Sequence, residues 1–182
     1  IGLSEIGALV VAYPAIQEAR KQFPNSCVYF ITASEGAQTL ELMGFGQEEI
    51  LLINTSSLTG MLYDLVKIRR RFNCKRVSAI VLEPFIRISA LLTLWIGASQ
   101  RIGCYRFYNE GGFLGNLLTH RLVYNSHLHA SQTYFALAKA LLEPLSIEPL
   151  LKEKIPSQIL NRLKIDISSD NQKILRNRLK LE

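Results

Sequence analysis

Little in this sequence can cross-link the chain or hold a metal. Only three of its 182 residues are cysteine. Cys27, Cys74 and Cys104 stand far apart and form no CxxC pair, which excludes a disulfide framework and the usual zinc spacings. They read as reduced thiols. Histidine is equally sparse, at three residues. His127 and His129 alternate, yet no acidic or cysteine cluster accompanies them, so no metal is expected. Long apolar runs are missing too. No uncharged apolar run exceeds residues 88–99, short of the ~20 residues that a membrane-spanning helix requires. The layout of a secretory signal peptide is absent, and a cytoplasmic protein is expected.

What the chain does have is a globular composition. Hydrophobic residues make up 48% and charged residues 20%, which excludes a disordered, self-repelling chain. The length suits one domain, or one domain with a tail. A net charge of +6 suits phosphate-bearing substrates, anionic membrane surfaces or nucleic acid without choosing among them. The first residue is Ile1, and the last segment, "NQKILRNRLKLE", stops inside a helical pattern. Both ends therefore read as cut, in a piece of a longer protein.

Strand and helix signals alternate along the chain. "VVAYPAIQEARKQF" has helical periodicity, with Pro14 placed to kink or delay it. "CVYFIT" is a short strand. "SEGAQTLELMG" offers Ser34 as a cap, a helix and a Gly44 stop. "EILLIN" is a second strand and "LTGMLYDLVKIRRRF" an amphipathic helix with a basic end, as the helix dipole favours. "RVSAIVLE", "IRISALLTLWIGAS" and "RIGCY" continue as strand, helix and strand. A short strand and a helix over about 128–143 follow. Unalternating strands separated by helices imply a Rossmann-like parallel sheet with helices on both faces. We read residues 1–145 as this domain and 146–182 as a linker and the start of a further one.

Ligands of such sheets sit at the carboxyl ends of the strands. Residues 3–7, 32–36, 83–87 and 104–116 should therefore share one rim. Arg87 follows a strand end and opens an apolar helix, where a guanidinium suits a carboxylate or phosphate better than it suits packing. Arg106 and Glu110 lie in a Gly-rich, aromatic loop and either bind a ligand or pair with each other. His120, within "THR", suits a hydrogen bond to an acceptor or phosphate, or the capping of a strand. Tyr134 and Trp95 fall on apolar helical faces and read as core. Gly7 is a close-packing or turn glycine. The basic cluster "KIRRRFNCKR" reads as a solvated face, or as a contact with anionic lipid. No nucleic-acid module matches, so nucleic acid is not an expected partner.

Several of these pieces, in order, resemble glycosyltransferase family 9, the ADP-heptose:lipopolysaccharide heptosyltransferases. "IGALVVAYPAIQEARKQFP" resembles the family's first turn, apolar helix with an early proline, and closing "FP". "LEPFIRISALLTLWIGASQRIGCYRF" resembles its strand, arginine, "SALL" helix and "RIG" run, and "LLTHRLVYNSHLHASQTYFAL" its "THR…H" segment. The resemblance spans residues 1–143. It implies the N-terminal, acceptor-binding half of a two-domain GT-B enzyme. The expected activity is inverting transfer from an ADP-linked or related nucleotide sugar to a saccharide or lipid-linked acceptor such as a lipopolysaccharide core. No cofactor is implied. The enzyme would be cytoplasmic or peripheral on the inner membrane, and this half alone would be inactive.

On this resemblance Arg87, Arg106, Glu110 and His120 would hold the acceptor, and Gly7 would let donor phosphate approach the helix N-terminus. The family commonly has an aspartate after the first-turn glycine, where it looks like the catalytic base. Here that position is Ala8, which cannot take a proton. Glu5, on the same turn, is the candidate replacement, or simply a helix-entry acid favoured by the dipole. Glu83 is the second candidate base. A rival reading keeps the fold without the chemistry, as a non-catalytic saccharide- or partner-binding protein marked by Ala8. A third is an unrelated Rossmann-like nucleotide binder.

Overall fold

The computed structural model describes residues 1–3, 6–73, 75–83, 87–105 and 117–144. Helix α1 (Ile6–Gln22) is followed by β1 (Phe30–Ala33), α2 (Ser34–Leu42), β2 (Ile50–Ile53) and α3 (Leu58–Arg71). Then come β3 (Ser78–Ile80), α4 (Arg87–Trp95), β4 (Gln100–Tyr105), β5 (His120–Val123) and α5 (Ala130–Lys139). All strand pairs are parallel: β1 with β2, β3 with β4, and β4 with β5. The chain is a mixed α/β fold with two small parallel sheets.

Residues 1–3 join those two sheets. The Gly2 N–H donates to Ile31 O of β1 at 3.1 Å. On the other side the Ile1 amine donates to Ile80 O at 2.8 Å, and the Leu82 N–H donates to Ile1 O at 3.0 Å. The spatial order is therefore β2, β1, residues 1–3, β3, β4, β5. Counted in chain order this is 3-2-1-4-5-6, compatible with a Rossmann-like doubly wound arrangement.

Helices cover both faces, as strands without polar alternation require. One core gathers Leu9, Ala12 and Ile16 of α1, Leu40 of α2, Ile102 of β4 and Leu137 of α5. The other gathers Ile31, Ile53 and Ala79 from the strands, Ile68 of α3 and Leu92 of α4. Small residues let α1 and α5 approach closely: Ala12 and Ala15 on one, Ala136 and Ala138 on the other, all buried. A Lys139–Glu18 ion pair at 3.0 Å ties the same two helices.

Several local expectations change. Pro14 neither breaks nor delays α1, which runs from Ile6 through it. The hydrogen bond that proline forfeits costs less than the buried stripe on either side of it contributes. Ser34 is the first helical residue of α2, not its cap; the cap is Ala33, with no side-chain bond. Ser57 caps α3 instead, accepting the Gly60 N–H at 3.1 Å. Gly44, at φ +83°, ends α2 as expected, and Gly97, at φ +75°, follows the end of α4. The 128–143 helix shortens to α5 and a 3-10 turn over Ala140–Leu142. Residues 146–182 lie outside the described residues.

The join lies beside an open cavity of about 480 Å³ between the entries to β1 and β3.

Candidate functional site at the carboxyl edge of the sheet

The segment 1–3, β1, β3 and β4 all finish at one edge, so the described parts of the four expected loops share a rim. Glu83 lies there, three residues beyond β3, and is only 5% exposed. Its Oε1 accepts the Leu3 N–H at 2.7 Å, and its Oε2 accepts the Ser89 hydroxyl. A buried carboxylate needs donors of this kind, because leaving it unpaired costs several kcal/mol. Glu83 thus pins three elements at one point: the seam, the end of β3 and the first turn of α4. Ser89 is fully buried. Sequence reading missed it; the available signal was a serine six residues after a strand-end acid, at the start of a helix.

Arg87 is the first residue of α4 and is exposed on this rim. Gly7 is the second residue of α1 and is also exposed. Outside its chain neighbours and its own helix, a methyl group built on Gly7 would meet no atom of the described residues within 4 Å. Among the described residues nothing packs closely on it, and its backbone is helical rather than a turn. It lies beside the first N–H groups of a 17-residue helix, the kind of place where anions bind. Gly36, on the same rim, is the opposite case. A methyl group there would run into the Thr32 hydroxyl and press on Leu9 at 3.1 Å. Ala8 is partly buried and packs against the core.

The histidines have structural settings. His120 opens β5 and is 0% exposed. Its Nδ1 faces Thr119 Oγ1 at 2.9 Å and its Nε2 faces the Glu143 carbonyl at 3.2 Å. It pairs with Ile102, midway along β4, below the rim on which Arg87 and Gly7 lie. His129 caps α5, its ring accepting the Ser131 N–H at 3.2 Å. Among the described residues no three His, Cys, Asp or Glu side chains cluster as a metal site. Cys104 is buried, which pushes its thiol up to about 12, a value that leaves it unreactive.

Glu5, Arg106 and Glu110 lie outside the described residues. The rim therefore brings together Glu83, Arg87 and Gly7 and leaves His120 in the core. Chemically it offers an arginine, a helix N-terminus that no described residue crowds, and a carboxylate whose oxygens are already engaged. Comparison of the chain with family models, with curated proteins and with solved structures finds no match.

The two rim glycines make opposite predictions. Gly7→Ala should leave the fold intact or raise its stability by up to ~1 kcal/mol, because alanine is the better helix former. Gly36→Ala should cost ~1–3 kcal/mol by overpacking. Urea unfolding midpoints of the two variants separate these outcomes.

Proposed function

We propose that the chain is the acceptor-side domain of an inverting GT-B glycosyltransferase resembling the heptosyltransferases of family 9. What carries the reading is the N-terminus of α1 at Gly7, uncrowded by any described residue, on the same rim as Arg87 at the carboxyl edge of a parallel sheet. Chemistry on such sheets belongs at that edge. In the complete enzyme a second domain holds the nucleotide sugar, and this rim receives a saccharide or lipid-linked acceptor. The Glu5 carboxylate takes the proton of the acceptor hydroxyl. The hydroxyl oxygen attacks the anomeric carbon from the face opposite the leaving group. The bond from that carbon to the diphosphate breaks, and the nucleoside diphosphate leaves with the electron pair.

In this scheme Arg87 offsets anionic charge on the acceptor and limits the orientations in which it binds, which lowers the entropic cost of attack. Glu83 acts through position: by accepting the Leu3 N–H it holds the end of the segment 1–3 at the rim. With both oxygens engaged it is a weaker base candidate than Glu5. His120, enclosed in the core, supports β5 rather than the acceptor.

One observation favours a second reading, a non-catalytic saccharide- or partner-binding domain. The first turn of α1 carries no acidic residue, and Ala8 is packed against the core where the resembling enzymes carry an aspartate.

The two readings separate on the full-length protein, in nucleoside diphosphate release from a nucleotide heptose with a lipid A–core acceptor. Glu5→Gln should lower kcat by about 10²-fold or more with KM nearly unchanged, the signature of a lost general base. Turnover unaffected by Glu5→Gln overturns that assignment. Absence of turnover in the unaltered protein across several sugar nucleotides supports the binding domain.

A further inference from the structure

Helices α3 and α4 each carry two apolar stripes where one would serve the core. The inner stripe is buried against the sheet: Ile68 on α3, Leu92 and Ile96 at α4. The outer stripe is exposed: Leu58, Leu62 and Val66 at four-residue spacing on α3, and Ile88, Leu91 and Leu94 at three-residue spacing on α4. Both spacings keep a stripe on one side of a helix. Trp95 Nε1 donates to Leu65 O at 2.9 Å, and the Arg69 guanidinium donates to Ile96 O at 2.9 Å. These bonds tie the end of α4 to α3 and set the two exposed stripes on neighbouring helices. Scattered exposed apolar residues need no explanation, but two exposed stripes on bonded neighbouring helices mark an interaction surface.

Its surroundings indicate the partner. Trp95, expected in the core, is instead 49% exposed, and Tyr63 is 71% exposed. Amphipathic rings of this sort favour a membrane–water interface. Lys67 and Arg70 lie exposed toward the C-terminal end of α3, and Lys75 and Arg76 follow it, also exposed. The acid on α3, Asp64, is half-buried and accepts the Asn54 N–H at 2.9 Å. An apolar band, interfacial aromatics and a basic border form the pattern of a surface-seated membrane contact. Among the described residues no helix is long and apolar enough to cross a bilayer, so such a contact lies on the membrane. A second copy is the alternative occupant, and the lipid-free state of the chain tests it.

We propose that the α3–α4 surface seats the protein on an anionic phospholipid bilayer. The outer stripes and Trp95 enter the boundary between headgroups and acyl chains, while Lys67, Arg70, Lys75 and Arg76 meet lipid phosphates. The inference stands on this surface alone and holds whether or not the chain transfers sugars.

Trp95 is the only tryptophan in the sequence, so its fluorescence reports insertion directly. With vesicles of phosphatidylcholine containing about a third phosphatidylglycerol, its emission should shift to the blue and the 182-residue chain should co-sediment. Vesicles of phosphatidylcholine alone should bind less, and salt should weaken the anionic binding. Leu62→Glu with Leu91→Glu should reduce binding about tenfold or more while far-UV circular dichroism stays unchanged. Should that pair unfold, Leu91→Ser alone should still weaken binding. Lys67→Glu with Arg70→Glu should erase the preference for anionic vesicles. Failure of the unaltered chain to bind anionic vesicles overturns the proposal. So does equal binding to neutral ones, binding indifferent to the Leu91 variants, or a lipid-free dimer in which Trp95 is already shielded.

Discussion

The fold depends on a short length of backbone. Three residues carry the hydrogen bonds that turn two small sheets into one ordered array. Without the Gly2 bond to β1 and the Ile1 bonds to β3, each half would present an open edge in the middle of the molecule. Open edges carry unpaired N–H and C=O groups, and burying them unpaired is costly. The apolar residues packed above and below the seam depend on the same alignment. Ile1 and Leu3 face one core, while Leu9 of α1 closes over the other.

Glu83 extends this constraint to the rim. A carboxylate buried at the end of a parallel strand has few stable arrangements, and here it accepts from Leu3 on one side and Ser89 on the other. The geometry of the edge is thus set by an interaction below it rather than by the loops themselves. A neighbouring helix N-terminus and an arginine can then be presented at fixed spacing. Preorganisation of that kind limits what a binding site must spend on ordering its own parts.

How much of this was legible in the sequence depended on how local its cause was. The alternation of strands and helices could be read because apolar runs and helical periodicities are local. The glycine end at Gly44 could be read from single-residue chemistry, whereas the cap at Ser57 and the glycine end at Gly97 came only with the structure. The settings of Glu83, His120 and Trp95 could not be read. Glu83 is held by residues 80 and 6 positions away, and His120 by a carbonyl 23 positions on. Trp95 has the spacing of a core residue, yet it lies on the second of two apolar stripes. Periodicity identifies a stripe but not which of two stripes faces the sheet. Gly7 and Gly36 look alike as letters, and only packing separates the open one from the crowded one.

The seam also orders events during synthesis. Its partners lie 79 positions apart, and closing so long a loop is slow next to forming the helices and β1–β2 pair in between. A ribosome adding 5–20 residues per second takes about 4–16 s to deliver that length of chain. For that interval the apolar face of α1 has neither a finished sheet to cover nor α5 to pack on. Leu3 meets Glu83 only when the seam shuts, so the rim gains its anchor late. A chain stalled before Glu83 therefore carries the first turn of α1 without the carboxylate that holds the segment in front of it.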